Sequence, residues 1–132
     1  MEIHERPCDV EGVRLLDLDG GLDHTTTAMF VSRMDDLLNQ GVSRVVLDLK
    51  HLTYTSSWGL AALVRAHHHF AVRGGRLAFA DLHSATAAVL RISHLDRLFD
   101  LHPTVADALR SLAAKPGSPP PPPSGAQDPP KP

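Results

Sequence analysis

The run SRVVLDLKHLTYTSSWGLAALV, residues 43–64, restricts the fold more than any other part of the chain. Its first third, SRVVLDL, is a continuous apolar and β-branched pattern, which suits a strand in a sheet covered on one or both faces. Its end has a different period: Leu60, Leu63, Val64 and, just beyond, His67 recur at the spacing of one helical face. Ser56 and Ser57 stand where the strand-like run gives way to the helix-like one. Such a strand–turn–helix order asks for further strands and helices to complete a layered α/β fold.

The flanking sequence supplies them. EIHERP and VRLLDL are short strand candidates, the second bounded by EG and GG. From Asp23 to about Gln40, Thr27, Phe30, Val31, Met34, Leu37 and Leu38 follow a helical period. Asp23 or Thr25 is the candidate cap, and Gly41 follows the end. The glycines of RGG, residues 73–75, stop the second helix, and RLAFAD reads as the next strand. Ser84 is the expected cap of a third helix carrying Ala85, Ala88, Val89 and Ile92. A short extended piece is expected near Phe99. Pro103 or Thr104 opens a last helix with Val105, Ala108, Leu109 and Leu112 on one side. The alternation predicts a mostly parallel sheet with helices packed on it.

One domain is expected over residues 1–113. Residues 114–132, with KPGSPPPPPSGAQDPPKP after Ala114, hold almost no large apolar side chain and read as a proline-rich disordered tail. Its five consecutive prolines favour polyproline II, either as a solvated segment or as a docking peptide for an aromatic groove. The formal net charge of −2 gives no electrostatic case for nucleic acid or an anionic membrane. The single cysteine, Cys8, has no internal partner, which fits a reducing compartment. The charged opening MEIHERPCD, broken by Pro7, does not read as a signal peptide. No apolar run approaches the roughly 18–20 residues that span a bilayer. A soluble, cytoplasmic protein is expected.

Four segments, GGLDHTTT, SRVVLDLKHLTYTSSWGLAALV, RGGRLAFADLHSATAAVLRISHLDRLF and TVADAL, together resemble a STAS domain, the module of anti-sigma factor antagonists that is also found in sulfate transporter tails. They agree with it in order and spacing from about residue 3 to 113. The resemblance implies a four- to five-stranded sheet with helices packed mainly on one face. It implies a bacterial regulatory module, not an enzyme. Its implied partner is an anti-sigma factor with serine kinase activity, whose capture frees a sigma factor for transcription. The antagonist pattern at the central turn is commonly Asp-Ser-Ser-Gly-Leu, with the first serine phosphorylated. Anchored on Gly59 and Leu60, that pattern places Ser57 at the phosphorylated position, with Ser56 the alternative. Ser56 then stands for the aspartate, and Trp58 for the second serine. A STAS module that is never phosphorylated, acting as a scaffold or small-ligand sensor, is the other reading.

Elementary chemistry permits a switch at this turn. A serine at a helix start can accept a hydrogen bond from a free backbone N–H, worth about 1 kcal/mol. A phosphate there adds about −1.5 to −2 charges, tolerated at a helix N-terminus but repelled by an acidic or apolar partner surface. Asp23, His24, Ser56 and Trp58 form the candidate partner-binding face. Trp58 precedes Leu60 by two positions, about 200° around a helix, and is expected to point outward. Ser57-x-Gly59 is half of a hydrolase nucleophile elbow, but Thr55 replaces the first glycine and the nine histidines have no diagnostic spacing. His67, His68 and His69 are consecutive, and neighbours about 100° apart on a helix cannot converge on one ion. The RGGR turn lacks a phosphate-binding spacing. Asp48 is expected to hydrogen-bond loop backbone. No catalytic residue, metal or cofactor is expected.

Overall fold

A computed structural model describes residues 1–113. The sequence expectations for the segment after Ala113 lie outside the described residues. The chain runs β1 (Glu2–Arg6), β2 (Val13–Leu22), α1 (Thr27–Asn39), β3 (Arg44–Asp48), β4 (Leu52–Thr55), α2 (Ser57–Val72), β5 (Arg76–Ala80), α3 (Ser84–Ile92), a 3-10 turn at Leu95–Arg97, β6 (Asp100–His102) and α4 (Val105–Leu112). The sheet order is β1-β2-β3-β5-β6, with β4 added to β2. Only β1 is antiparallel to its neighbour; β2, β3, β5 and β6 run parallel, as the strand–helix alternation requires.

Strand alternation sorts the side chains to two cores. Leu16, Leu18, Leu22, Val45, Leu47, Leu77 and Phe79 point to one face and meet α1, α2 and α3. Val13, Leu15, Val46, Ala78 and Ala80 point to the other and meet α4 through Ala108 and Leu112. Among the described residues, three of the four α-helices therefore share one face, in keeping with the expected architecture. Phe30, Phe70 and Phe79 are fully buried on that side, each worth roughly 1.5–3 kcal/mol of burial.

Four details depart from the sequence reading. First, LTYT, Leu52–Thr55, is a strand of its own, so the sheet has six strands rather than four or five. Beyond a bulge at Gly20 and Gly21, the end of β2 pairs with β4. Four residues are too few to show a period, and buried Leu52 and Thr55 flank exposed Thr53 and Tyr54. Second, α2 buries Gly59, Ala62, Leu63, Ala66 and Phe70. Leu60, Val64 and His67 are only half-buried beside that stripe. Third, His83 rather than Ser84 caps α3, its Nδ1 accepting from the Ala85 N–H at 3.2 Å. Fourth, α3 buries Thr86 and Leu90, and Ile92 is exposed. The Thr86 hydroxyl donates to the Leu52 carbonyl at 2.7 Å, which locks the helix onto β4. Thr104 caps α4 as expected, accepting from the Asp107 N–H at 3.0 Å.

Candidate functional site

The site is built where β2 and β4 end side by side. Leu22 pairs with Thr55, and the Ser56 N–H donates to the Leu22 carbonyl at 2.9 Å. That bond brings the start of α1 and the start of α2 to one edge of the sheet, although Asp23 and Ser56 are 33 positions apart in the chain. Gly59 makes the approach possible. A Cβ there would lie 2.3 Å from the Thr55 hydroxyl and 2.5 Å from the Leu22 carbonyl oxygen.

The two serines have different surroundings. Ser56 is the N-cap of α2: its backbone is extended and its Oγ accepts from the Gly59 N–H at 3.3 Å. Ser57 is the first residue of the helix, exposed, and takes no part in the cap. The first turn of α2 carries no acidic side chain. A negative charge on Ser57 would thus meet the helix N-terminus with no carboxylate opposing it in that turn. Trp58 follows at 66 % exposure, pointing away from the core stripe that starts at Gly59.

Across the corner, Asp23 is occupied by local structure. Its Oδ1 accepts from the N–H groups of Thr25 and Thr26 at 2.9 and 3.2 Å and from the Thr25 hydroxyl at 2.7 Å. The Thr26 hydroxyl accepts from the Asp23 N–H at 2.9 Å and donates to the Gly21 carbonyl at 2.9 Å. These bonds, the Thr25 hydroxyl foremost, hold the Asp23 carboxyl below the usual carboxylate range. Asp23 organises the entry to α1, and Thr26, not Asp23 or Thr25, stands at the cap position itself. His24 is exposed beside it.

Two residues that the sequence reading passed over also open at this end. Tyr54 is 56 % exposed on β4, its ring resting where Gly21 leaves room, and Met29 is 43 % exposed in the first turn of α1. Tyr54 carried a signal, as the chain's single tyrosine two residues before Ser56. Met29 lies between Thr27 and Phe30, out of phase with the buried face, and its position was readable from that phase alone.

The remaining candidates lie elsewhere. Asp48 is buried on the α4 side, accepting from the Lys50 N–H at 3.0 Å and from Arg6 at 2.8 Å, so it shapes the turn leading to β4. Arg6 Nε also lies 2.9 Å from Asp17 Oδ1, but off the line of a hydrogen bond, which leaves that buried oxygen with a charge contact alone. His67 packs edge-on against Phe99 with ring centroids 5.7 Å apart, His68 is exposed, and His69 lies 4.0 Å from Asp35. Among the described residues no group of three or more His, Cys, Asp or Glu side chains could hold a metal. No helix among them is long and apolar enough to cross a membrane.

The profile of the STAS domain family matches residues 9–108. The anti-sigma F factor antagonist of Paenibacillus polymyxa is 28 % identical over 102 residues, covering 76 % of this chain and 87 % of that protein. In fold, an anti-sigma factor antagonist from Mycobacterium paratuberculosis superposes with a TM-score of 0.73 at 23 % identity, over 86 % of this chain and 96 % of its own. The phosphorylated form of the Bacillus cell fate determinant SpoIIAA superposes with a TM-score of 0.64 at 16 % identity, over 83 % and 97 %.

Proposed function

The chain belongs to the STAS domain family, and from that premise we propose that it is an anti-sigma factor antagonist switched by phosphorylation of Ser57. Its relatives are regulatory binding modules, and this chain acts as one: it captures an anti-sigma factor that is also a serine kinase. The carrying observation is the division of labour between the serines. Ser56 is committed to the cap, while Ser57 offers an exposed hydroxyl beside an exposed tryptophan. Partner binding desolvates Trp58, Tyr54 and Met29, large side chains of the kind that anchor interfaces. A phosphate on Ser57 keeps charge and water in that surface. A like-charge clash of several kcal/mol against an acidic partner lowers affinity by orders of magnitude without any change of fold.

The test is incubation with the candidate kinase and ATP, followed by peptide mapping. One phosphate on Ser57 is expected. Ser57→Ala should block modification while keeping partner binding, and Ser57→Asp should weaken binding. Phosphate on Ser56 or Thr55 alone would contradict the assignment. A second reading, a STAS scaffold that is never phosphorylated, is favoured by Trp58 standing where the family pattern carries its second serine. It expects no modification by the kinase and unchanged affinity in Ser57→Asp.

A further inference from the structure

At the other end of α2 the sheet has a notch. β6 is only three residues long and pairs with Ala78, Phe79 and Ala80, so Arg76 and Leu77 at the start of β5 have no β6 neighbour. Among the described residues a cavity of about 240 Å³ opens there, with His67 and Ala71 of α2, Arg76 and Leu77 of β5 and Asp100 of β6 in its wall. It is smaller than the roughly 300–1,000 Å³ typical of cofactor and drug-sized sites. At ~30 Å³ per water it matches about eight waters, which is room for one ring with a short substituent.

The backbone gives this cavity a donor. Consecutive residues of a strand turn their N–H groups to opposite neighbours. The Arg76 N–H donates to the Ser43 carbonyl on the β3 side at 2.8 Å. The Leu77 N–H therefore turns toward the β6 side, ahead of the point where β6 begins. Arg76 gives a second donor. A guanidinium has five N–H groups. Here two go to Asp100 at 3.2 and 2.6 Å, and two to the Ser111 carbonyl and hydroxyl at 3.1 and 2.8 Å. One N–H on Nη1 is left over, on a group that the other bonds hold in place.

Charge decides the class of ligand. Arg76 and Asp100 neutralise each other in the wall, and the other Asp100 oxygen bonds His102 at 2.8 Å. An anion entering the notch meets the Asp100 carboxylate, and a cation meets the Arg76 guanidinium. Neither finds a free countercharge to offset the loss of its own hydration. A neutral acceptor escapes both penalties and answers the two N–H donors. The apolar surface comes from Ala71 and from the His67 ring, set edge-on to Phe99 with centroids 5.7 Å apart. Such a wall suits a flat apolar body. We propose that the notch between α2 and β5 binds a small uncharged molecule with a planar ring and a carbonyl acceptor, of the aromatic amide class. The site lies at the end of α2 opposite Ser57, so it fills without covering the partner face.

The test is amide and methyl NMR of the full chain, titrated with benzamide. Saturable shifts are expected at the Leu77 N–H and at the Ala71 and Leu77 methyls, while the Leu16 methyls and the Trp58 indole hold still. Benzoate and benzamidine keep the shape but carry charge, and each should bind at least about tenfold more weakly. Ala71→Phe, a change at an exposed position that fills the notch, should abolish the shifts with the circular dichroism unchanged. Absence of saturable shifts with benzamide up to its solubility limit would overturn the proposal. So would equal affinity for all three probes, since the charges in the wall would then select nothing, and so would shifts that survive Ala71→Phe. No arm involves the partner or the kinase, so the phosphorylation switch stands or falls separately.

Discussion

The two faces of the sheet are held by different forces. On the α1–α3 side the buried side chains are mostly large and apolar, including Phe30, Phe70, Phe79 and Phe99 and a majority of the buried leucines. On the α4 side the buried set is smaller, with only Ala78 and Ala80 from β5 beside Val13, Leu15 and Val46, and ion pairs stand at its margins: Arg6 with Asp17 and Asp48, Arg76 with Asp100. The first face resists through area removed from water, a force that carries no titrating group. The second depends on close contact and on charge, so pH and small changes of volume act on it directly. The site draws its rigidity from the first face, because α1 and α2 both belong to it.

The largest effect expected from breaking this contrast is at Phe79, which stacks on Phe99 with centroids 4.6 Å apart. Phe79→Ala should cost about 3–5 kcal/mol in denaturant unfolding, and a loss below 1 kcal/mol would show that the large face is not the source of stability. Next is Ala78→Leu, which overfills the contact under α4. A loss of about 1–3 kcal/mol is expected, with partner binding retained because α4 takes no part in the site.

The smallest effects are pH slopes. Burial pulls the Asp100 carboxyl upward, but hydrogen bonds and charge from His102 and Arg76 outweigh it and hold it below the usual range. A carboxyl lowered on folding contributes stability above its unfolded value and loses it as pH falls through the folded one. Asp100→Asn should therefore flatten the acid limb of the stability curve. Asp17 runs the other way: burial raises it, Arg6 opposes, and neighbouring Asp48 adds to the rise. Its ionisation opposes folding as pH climbs between the unfolded and folded values. Asp17→Asn should be neutral or slightly stabilising at pH 7, and a loss as large as that of Phe79→Ala would assign the Arg6 contact a weight the geometry does not give it.

The strands of the parallel core, the caps at Thr104 and Ser56 and the outward tryptophan were legible because each leaves a local mark: a β-branched run, a hydroxyl at a boundary, a phase. The buried stripe of α2 was not. Gly59, Ala62 and Ala66 are small because the helix lies close to the sheet, and a reading that follows large apolar residues lands on Leu60, Val64 and His67 at its flank. β4 escaped for a related reason, since its place depends on the distant Gly20 N–H and Leu22 carbonyl, which bond the chain on either side of it, and not on its own four residues. The proximity of Asp23 to Ser56 likewise needs the fold: it comes through one backbone hydrogen bond that no composition reports.

The placement of the aromatic rings has an optical consequence. The chain has one tryptophan and one tyrosine, and both stand largely in solvent beside the turn, while the buried rings are phenylalanines. Intrinsic fluorescence therefore samples the rim of the site and hardly senses the core. The emission colour should change little on unfolding, and an optical melt followed at Trp58 should show a far smaller amplitude than circular dichroism of the same sample. The same blindness to the core makes the indole a clean reporter of anything that covers the turn. A partner that desolvates Trp58 should shift its emission to the blue against an almost flat background.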